Sequence, residues 1–448
     1  MTIKQYNDKP LSHLSYAIVS NGKMAVVDPA RDPQPYYDFA EEHKAKIVAV
    51  FETHPHADFV SSHLQIHKET GATIYVSKLV GADYPHQAFD EGEELQMEDV
   101  TFKCIHTPGH SPDGITIHAV DKATTKEAIF TGDTLFIGDV GRPDLREKAG
   151  NMTAKRKELA QAMYKTMTTK YNHLSDNVWV YPAHGAGSLC GKNMSADTTS
   201  TLGNERIGNW AFQEQTEEEF LNEILDGQPF IPAYFGHDVD INKTGAKNFK
   251  TSVSGIPVHL NVENFSTKDV VIDTRNQTDF KANHIPGSIN IMARTENDKI
   301  ETWIGAIIQP NEEFYLVLDS ISDYDEIVSR IAKIGYESQI KAVLTLGQSY
   351  YESSDEFDYS DFKQHPDHYT IIDIRNVGEF EESQKFDSAE NHPLNELRAT
   401  AKTIPTDKPI VVHCAGGYRS AAGSSIIESE HPKAKVYDLS ERINDFNS

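Results

Sequence analysis

Thr53-His54-Pro55-His56-Ala57-Asp58 puts two imidazoles and a carboxylate in one short turn. Neutral imidazole nitrogen and carboxylate oxygen are the donors that suit zinc, iron or manganese. A lone His-x-His is common on protein surfaces, but three later segments carry donors of the same kind. They are His110 in Thr107-Pro108-Gly109-His110, Asp133 in Thr131-Gly132-Asp133 and His184 in Tyr181-Pro182-Ala183-His184. Their coincidence favours a metal centre over scattered surface histidines. A second chemistry stands late in the chain, at Cys414-Ala415-Gly416-Gly417-Tyr418-Arg419-Ser420. Successive backbone N–H groups, an incoming helix N-terminus and Arg419 would surround the Cys414 sulfur with positive potential and stabilise a thiolate or persulfide. A cysteine that merely fills space does not account for the Gly-Gly-x-Arg after it.

These residues need elements to hold them. The apolar run Ile47-Val48-Ala49-Val50-Phe51 predicts a buried strand ending at the first motif, and Met24-Ala25-Val26-Val27-Asp28-Pro29 another ending at Asp28, which supports the loop. Cys104 lies in the alternating stretch Val100–Ile105 and is structural. Gly185-Ala186-Gly187-Ser188-Leu189-Cys190 permits a tight loop after His184, in which Cys190 either carries a transient persulfide or fills an apolar space. Arg142 opens a basic cluster with Arg146, Lys148, Lys155, Arg156 and Lys157. The cluster is either a solvated helix start or an anchor for carboxylate or phosphate groups on a thiol cofactor, with the Arg142 guanidinium as a fork for an oxyanion. Thr216-Glu217-Glu218-Glu219 predicts a capped amphipathic helix. Two segments then repeat one another: Val270-Val271-Ile272-Asp273-Thr274-Arg275 and Tyr369-Thr370-Ile371-Ile372-Asp373-Ile374-Arg375. The expected division is 1–192 for the metal domain, 193–250 for a connector, 251–350 for the first repeat and 351–448 for the second.

The ordered motifs T-H-x-H-x-D, T-P-G-H, T-G-D and P-A-H resemble the metallo-β-lactamase superfamily, which implies an αββα sandwich with metal at the sheet edge. Each repeat resembles a rhodanese domain, a small α/β unit, and Cys414–Ser420 matches its C-x-x-G-x-R-S active loop. In that reading Cys414 and Arg419 are catalytic, and Gly416, Gly417 and Ser420 shape the substrate pocket. The first repeat has Asp319 where the nucleophile belongs and is expected to be inactive. Most hydrolytic superfamily members carry a second histidine directly after the motif's Asp; here that residue is Phe59, which cannot ligate. One metal ion per chain is therefore expected. Nearly the whole chain resembles the bacterial persulfide dioxygenase–sulfurtransferase fusions of the CstB type. That resemblance implies Fe(II) on His54, His110 and Asp133, with Asp58 as an outer support; His56 and His184 are outer supports in this reading and ligands in zinc members of the superfamily, and Cys190 is a candidate catalytic residue through its loop after His184. It also implies a thiol persulfide of coenzyme A, glutathione or bacillithiol type, O2 and sulfite as reactants, and a homo-oligomer. The alternative is a thioester hydrolase resembling hydroxyacylglutathione hydrolase, joined to a sulfurtransferase. A non-catalytic persulfide sensor with a structural metal is disfavoured, since structural zinc sites are closed and sulfur-rich.

The composition narrows the partners. At 448 residues the chain has room for several domains, and 38% hydrophobic with 25% charged residues is ordinary for a globular protein. A formal net charge of −26 disfavours nucleic acid and anionic membranes. No run approaches the ~18 apolar residues of a membrane span, and Met1–Asp8 has no signal-like apolar core. Three dispersed cysteines, Cys104, Cys190 and Cys414, fit a reducing cytoplasm rather than a disulfide framework.

Overall fold

Alternating and wholly apolar runs build two six-stranded sheets in the first part of the chain, seen in a computed structural model that describes residues 1–145 and 156–446. The chain divides into two units, Met1–Thr251 with Ala332–Gly335, and Ser252–Ile331 with Tyr336–Ser448. In the first unit one sheet orders Thr2–Asp8, His13–Ser20, Lys23–Val27, Lys46–Phe51, Thr73–Val76 and Gln87–Ala88 side by side. Its first pairings are antiparallel hairpins, and from Lys23–Val27 onward they are parallel. The other sheet runs Ser200–Thr201, Trp179–Pro182, Glu127–Gly132, Ile115–Asp121, Val100–His106 and Glu94–Met97. Tyr16, Ile18, Phe51, Phe102, Ile117 and Phe130 meet in the core between the sheets, as sheet-on-sheet packing requires.

Helices cover both outer faces. Gln34–Glu42 and His63–Thr70 bury Tyr36, Leu64 and Ile66 on one side, and Arg156–Thr169 buries Met163 and Met167 on the other. This is the αββα sandwich that the motifs implied. The stretch read as a connector carries Leu202, Ala211, Phe220, Leu221 and Ile224 into this second outer layer. Its helix Glu217–Leu225 opens with the anticipated capping box, Thr216 and Glu219 satisfying each other's backbone N–H groups.

The second unit holds two small parallel sheets. In the first repeat the order is Val258–Val262, Ile340–Leu346, Phe314–Leu318, Val270–Asp273, Ile289–Asn290; in the second it is Glu390–Asn391, Thr370–Asp373, Ile410–His413, Val436–Asp438. The repeats match in detail. Arg275 forks onto Asp273 as Arg375 does onto Asp373. Asn290 and Asn391 each donate to the carbonyls of their own Asp and Arg, at 3.0 and 2.9 Å and at 2.9 and 2.9 Å. No helix among the described residues is long and apolar enough to cross a membrane.

Candidate metal centre and persulfide loop

The metal motifs converge because each ends a strand at one edge of the sandwich. Lys46–Phe51 delivers His54 and His56, Glu127–Gly132 delivers Asp133, and Trp179–Pro182 delivers His184. Gly132 has φ +54, and a side chain there would strike that of Thr53, so the turn into Asp133 requires glycine. Two sets of donors result. His54, His110 and Asp133 form one, with Asp133 Oδ2 3.9 Å from His54 Nε2 and 3.5 Å from His110 Nε2. His56, Asp133 and His184 form the other, with Asp133 Oδ1 3.5 Å from His184 Nε2. All five are buried. Neither carboxylate oxygen of Asp133, nor Nε2 of His56 or His184, makes a well-formed hydrogen bond among the described residues. A buried carboxylate with no donor is costly, so the residues fit a cation placed among them.

The outer partners fix the imidazoles. His110 Nδ1 meets the Arg142 carbonyl at 2.9 Å, which leaves Nε2 for the centre. His54 Nδ1 lies 3.2 Å from Thr53 Oγ1, and Thr53 is itself held by Asp28 through backbone N–H and hydroxyl at 2.7 and 2.9 Å. His184 Nδ1 lies 3.3 Å from the Ser12 carbonyl, and its Nε2 is 3.3 Å from Asp58 Oδ2. Burial alone would lower the His184 pKa, but the Asp133 and Asp58 carboxylates push it up to about 9. Burial would likewise raise Asp58, yet His184, His56 and His13 hold it down at about 2. Asp58 and His184 thus stabilise each other's charged forms, which leaves the buried, donor-free Asp133 carboxylate as the group that a bound cation would satisfy.

Several side chains sit otherwise than the sequence suggests. Arg142, expected to offer its guanidinium to an anionic substrate group, is buried and forks onto Asp144 at 2.7 and 2.7 Å, with Nη1 on the Leu189 carbonyl at 3.2 Å. It serves the site through its backbone. Arg146, Lys148 and Lys155 of the basic cluster lie outside the described residues. Cys190 is buried in a group with Asp58 and His184; burial, then Asp58 and Asp133, push its thiol well up, so it stands there as a thiol. Phe59 packs among His13, His56 and His184. Sequence reasoning missed His13, which is buried and held neutral by burial and by His184 and His56. It belongs to no motif; only its bridge to His184 across the sheet edge brings it there. Glu52 and His63 were also missed: Ser61 donates to Glu52 Oε1 at 2.7 Å, and His63 Nδ1 lies 3.5 Å from the same oxygen.

In the second repeat the Cys414 loop lies between Ile410–His413 and the helix Tyr418–Glu430. The Gly417 N–H donates to Cys414 Sγ at 3.1 Å, and the Ser420 hydroxyl returns to the Gly417 carbonyl at 3.1 Å. Cys414 is buried and Gly416 exposed. Arg419 forks onto Glu379 at 2.7 and 2.7 Å. The strand register corrects one expectation in the first repeat. Asp373 pairs with His413 and Asp273 with Val317, so the position equivalent to Cys414 is Leu318, one residue before Asp319. Neither residue can accept sulfane sulfur, and the first repeat lacks the nucleophile.

Residues 8–168 match the metallo-beta-lactamase superfamily, and residues 260–347 and 358–447 match the rhodanese-like domain. The chain thus carries a metallo-β-lactamase-superfamily domain followed by two rhodanese-like domains. It is similar to the cytoplasmic hydroxyacylglutathione hydrolase of Arabidopsis thaliana, 29% identical over 229 residues, covering 48% of this chain and 83% of that protein. It is 33% identical over 128 residues to the cytoplasmic isozyme of that hydrolase from Saccharomyces cerevisiae, covering 27% of this chain and 47% of that one. Among solved structures, a metallo-beta-lactamase from Staphylococcus aureus subsp. aureus COL superposes with a TM-score of 0.67 at 29% identity, over 77% of this chain and 99% of that one. That extent exceeds what the first unit alone supplies.

Proposed function

We propose that the chain is a persulfide dioxygenase and sulfurtransferase that detoxifies sulfide. One half-reaction is RSSH + O2 + H2O → RSH + sulfite + 2 H⁺. In the other, Cys414 takes a sulfane sulfur from a second RSSH, releasing RSH, and hands it to sulfite to give thiosulfate and free Cys414. The observation that carries this reading is the occurrence, in one chain, of a buried two-His-one-carboxylate face and a rhodanese loop with its cysteine. One Fe(II) is assigned to His54, His110 and Asp133, where it would supply a redox-active Lewis acid with positions open to O2 and sulfur. The chain's own residues do the rest. The Arg142 carbonyl and Thr53 aim His110 and His54, and Phe59 and the surrounding buried side chains keep water out. Cys190, protonated beside Asp58, can hydrogen-bond an incoming persulfide. At Cys414 the Gly417 N–H meets the sulfur that must carry negative charge. The reactants are a low-molecular-weight thiol persulfide, O2 and sulfite, with no nucleic acid or membrane partner, in a cytoplasmic homo-oligomer.

A second reading, thioester hydrolysis, draws on the His56–Asp133–His184 group, which could seat a second ion, and on the names of the hydrolases to which the chain is similar. Anaerobic metal analysis followed by oxygen uptake with glutathione persulfide separates the two. Stoichiometric iron with persulfide-dependent uptake is expected; two zinc ions with cleavage of a glutathione thioester and no uptake would replace dioxygenase with hydrolase.

A further inference from the structure

The first rhodanese repeat has no nucleophile, yet side chains from the second repeat's active loop end in it. Arg419 places its guanidinium carbon 5.7 Å from the ring centroid of Trp303, on the helix Ile300–Ile307 of the first repeat. Its two terminal nitrogens are held by Glu379, and the Trp303 ring supplies the second surface against which the guanidinium lies. The preceding residue, Tyr418, donates its hydroxyl to the Met292 carbonyl of the first repeat at 2.9 Å. The wall it meets is braced. Arg330 forks onto Glu301 at 2.8 and 2.8 Å and donates to the Thr295 carbonyl at 3.0 Å, and Arg294 holds Asp298 at 3.0 and 2.9 Å. Lys281 of the first repeat reaches Asp438 at 2.7 Å and Ser440 at 3.1 Å, beside the backbone that a Cβ on Gly417 would meet at 2.6 Å.

We infer that the nucleophile-free repeat is a working part of the sulfur-transfer site, in which the Trp303 ring face and the Met292 carbonyl position Arg419 and Tyr418 and thereby the Cys414 loop. This rests on the sulfurtransferase reading and gives the first repeat a role beyond packing. Trp303 is a positioning residue: it acts through Arg419, whose charge lies near the Cys414 sulfur.

The test uses the full-length iron-loaded protein with glutathione persulfide and sulfite, thiosulfate being measured per oxygen consumed. Trp303→Leu keeps an apolar side chain without a π face; Trp303→Phe restores the face. Trp303→Leu is expected to cut kcat for thiosulfate formation about tenfold with little change in KM for sulfite, and Trp303→Phe to recover most of it. Tyr418→Phe, which removes a single oxygen atom, should cost about threefold. Equal rates in the Leu and Phe variants, with Tyr418→Phe at the wild-type rate, would overturn the inference while leaving the sulfurtransferase reading intact. Absence of thiosulfate and of a Cys414 persulfide by mass spectrometry in the unmodified protein would overturn both.

Discussion

His13 lies nearly flat against Phe59, their ring centroids 3.7 Å apart and their planes at 30°. Phe59 also faces His56 at 4.4 Å, and it fills the place directly after Asp58 where a ligating imidazole would complete a second ion site with Asp58 and His184. On the one-ion reading proposed above, Phe59→His is expected to raise metal content after reconstitution from one ion per chain toward two. Inductively coupled plasma analysis reads this directly. A variant that stays at one would show that something other than the missing imidazole limits the site.

Arg142 contributes its backbone to His110 and its guanidinium to Asp144. Removing Arg142 leaves the partly exposed Asp144 carboxylate without its partner, at a cost of about 1–3 kcal/mol. Arg142→Ala should lower the unfolding midpoint and metal occupancy together, because the backbone carbonyl that meets His110 stays but loses the side-chain anchors to Asp144 and Leu189 that fix its position. Turnover per bound metal and KM for the persulfide should change little. A large rise in KM at full metal occupancy would mean that the guanidinium does meet substrate.

The sandwich, the paired rhodanese units and the convergence of His54, His56, His110, Asp133 and His184 were legible because strand-end motifs translate into a shared sheet edge. His13 was not legible, since its place depends on a bridge between residues 13 and 184 that no local pattern encodes. Arg142 was misleading for a related reason. A cluster of basic residues suggests an exposed anion site, but Asp144, two residues on, was positioned to take the guanidinium inward. The equivalence of Leu318 rather than Asp319 to Cys414 needed the register of parallel pairing, which sequence spacing leaves open by one residue.

Glu428, on the helix that follows the Cys414 loop, titrates up to about 7, chiefly from burial and then from Glu352 and Asp355, against a hydrogen bond from Ser354. The folded state thus holds this proton more tightly than the unfolded chain, whose carboxyl titrates near the usual ~4.3. Below that value the group favours neither state, and as pH rises from about 4.3 to 7 it increasingly disfavours folding. Glu428→Gln should raise stability at pH 8 by on the order of 1–3 kcal/mol and leave it nearly unchanged at pH 4. Urea unfolding of the two proteins at both pH values checks it; an equal gain at pH 4 would point to packing rather than ionisation.

Cys414 and Gly417 give the sharpest separation of the two proposed half-reactions. Cys414→Ser removes the sulfur acceptor, so product should shift from thiosulfate to sulfite while oxygen uptake persists. Gly417 sits at φ +99, and a Cβ there would come within 2.6 Å of the backbone of Ser440 and Glu441. Gly417→Ala must therefore shift the loop, pulling away the N–H that meets Cys414 Sγ, at about 1 kcal/mol in backbone strain before any clash. It should reproduce the Cys414→Ser product shift in a protein whose thiol is still present and still alkylated by iodoacetamide. Loss of oxygen uptake in either variant, at unchanged iron content, would mean that the metal centre and the cysteine loop do not work as separable halves.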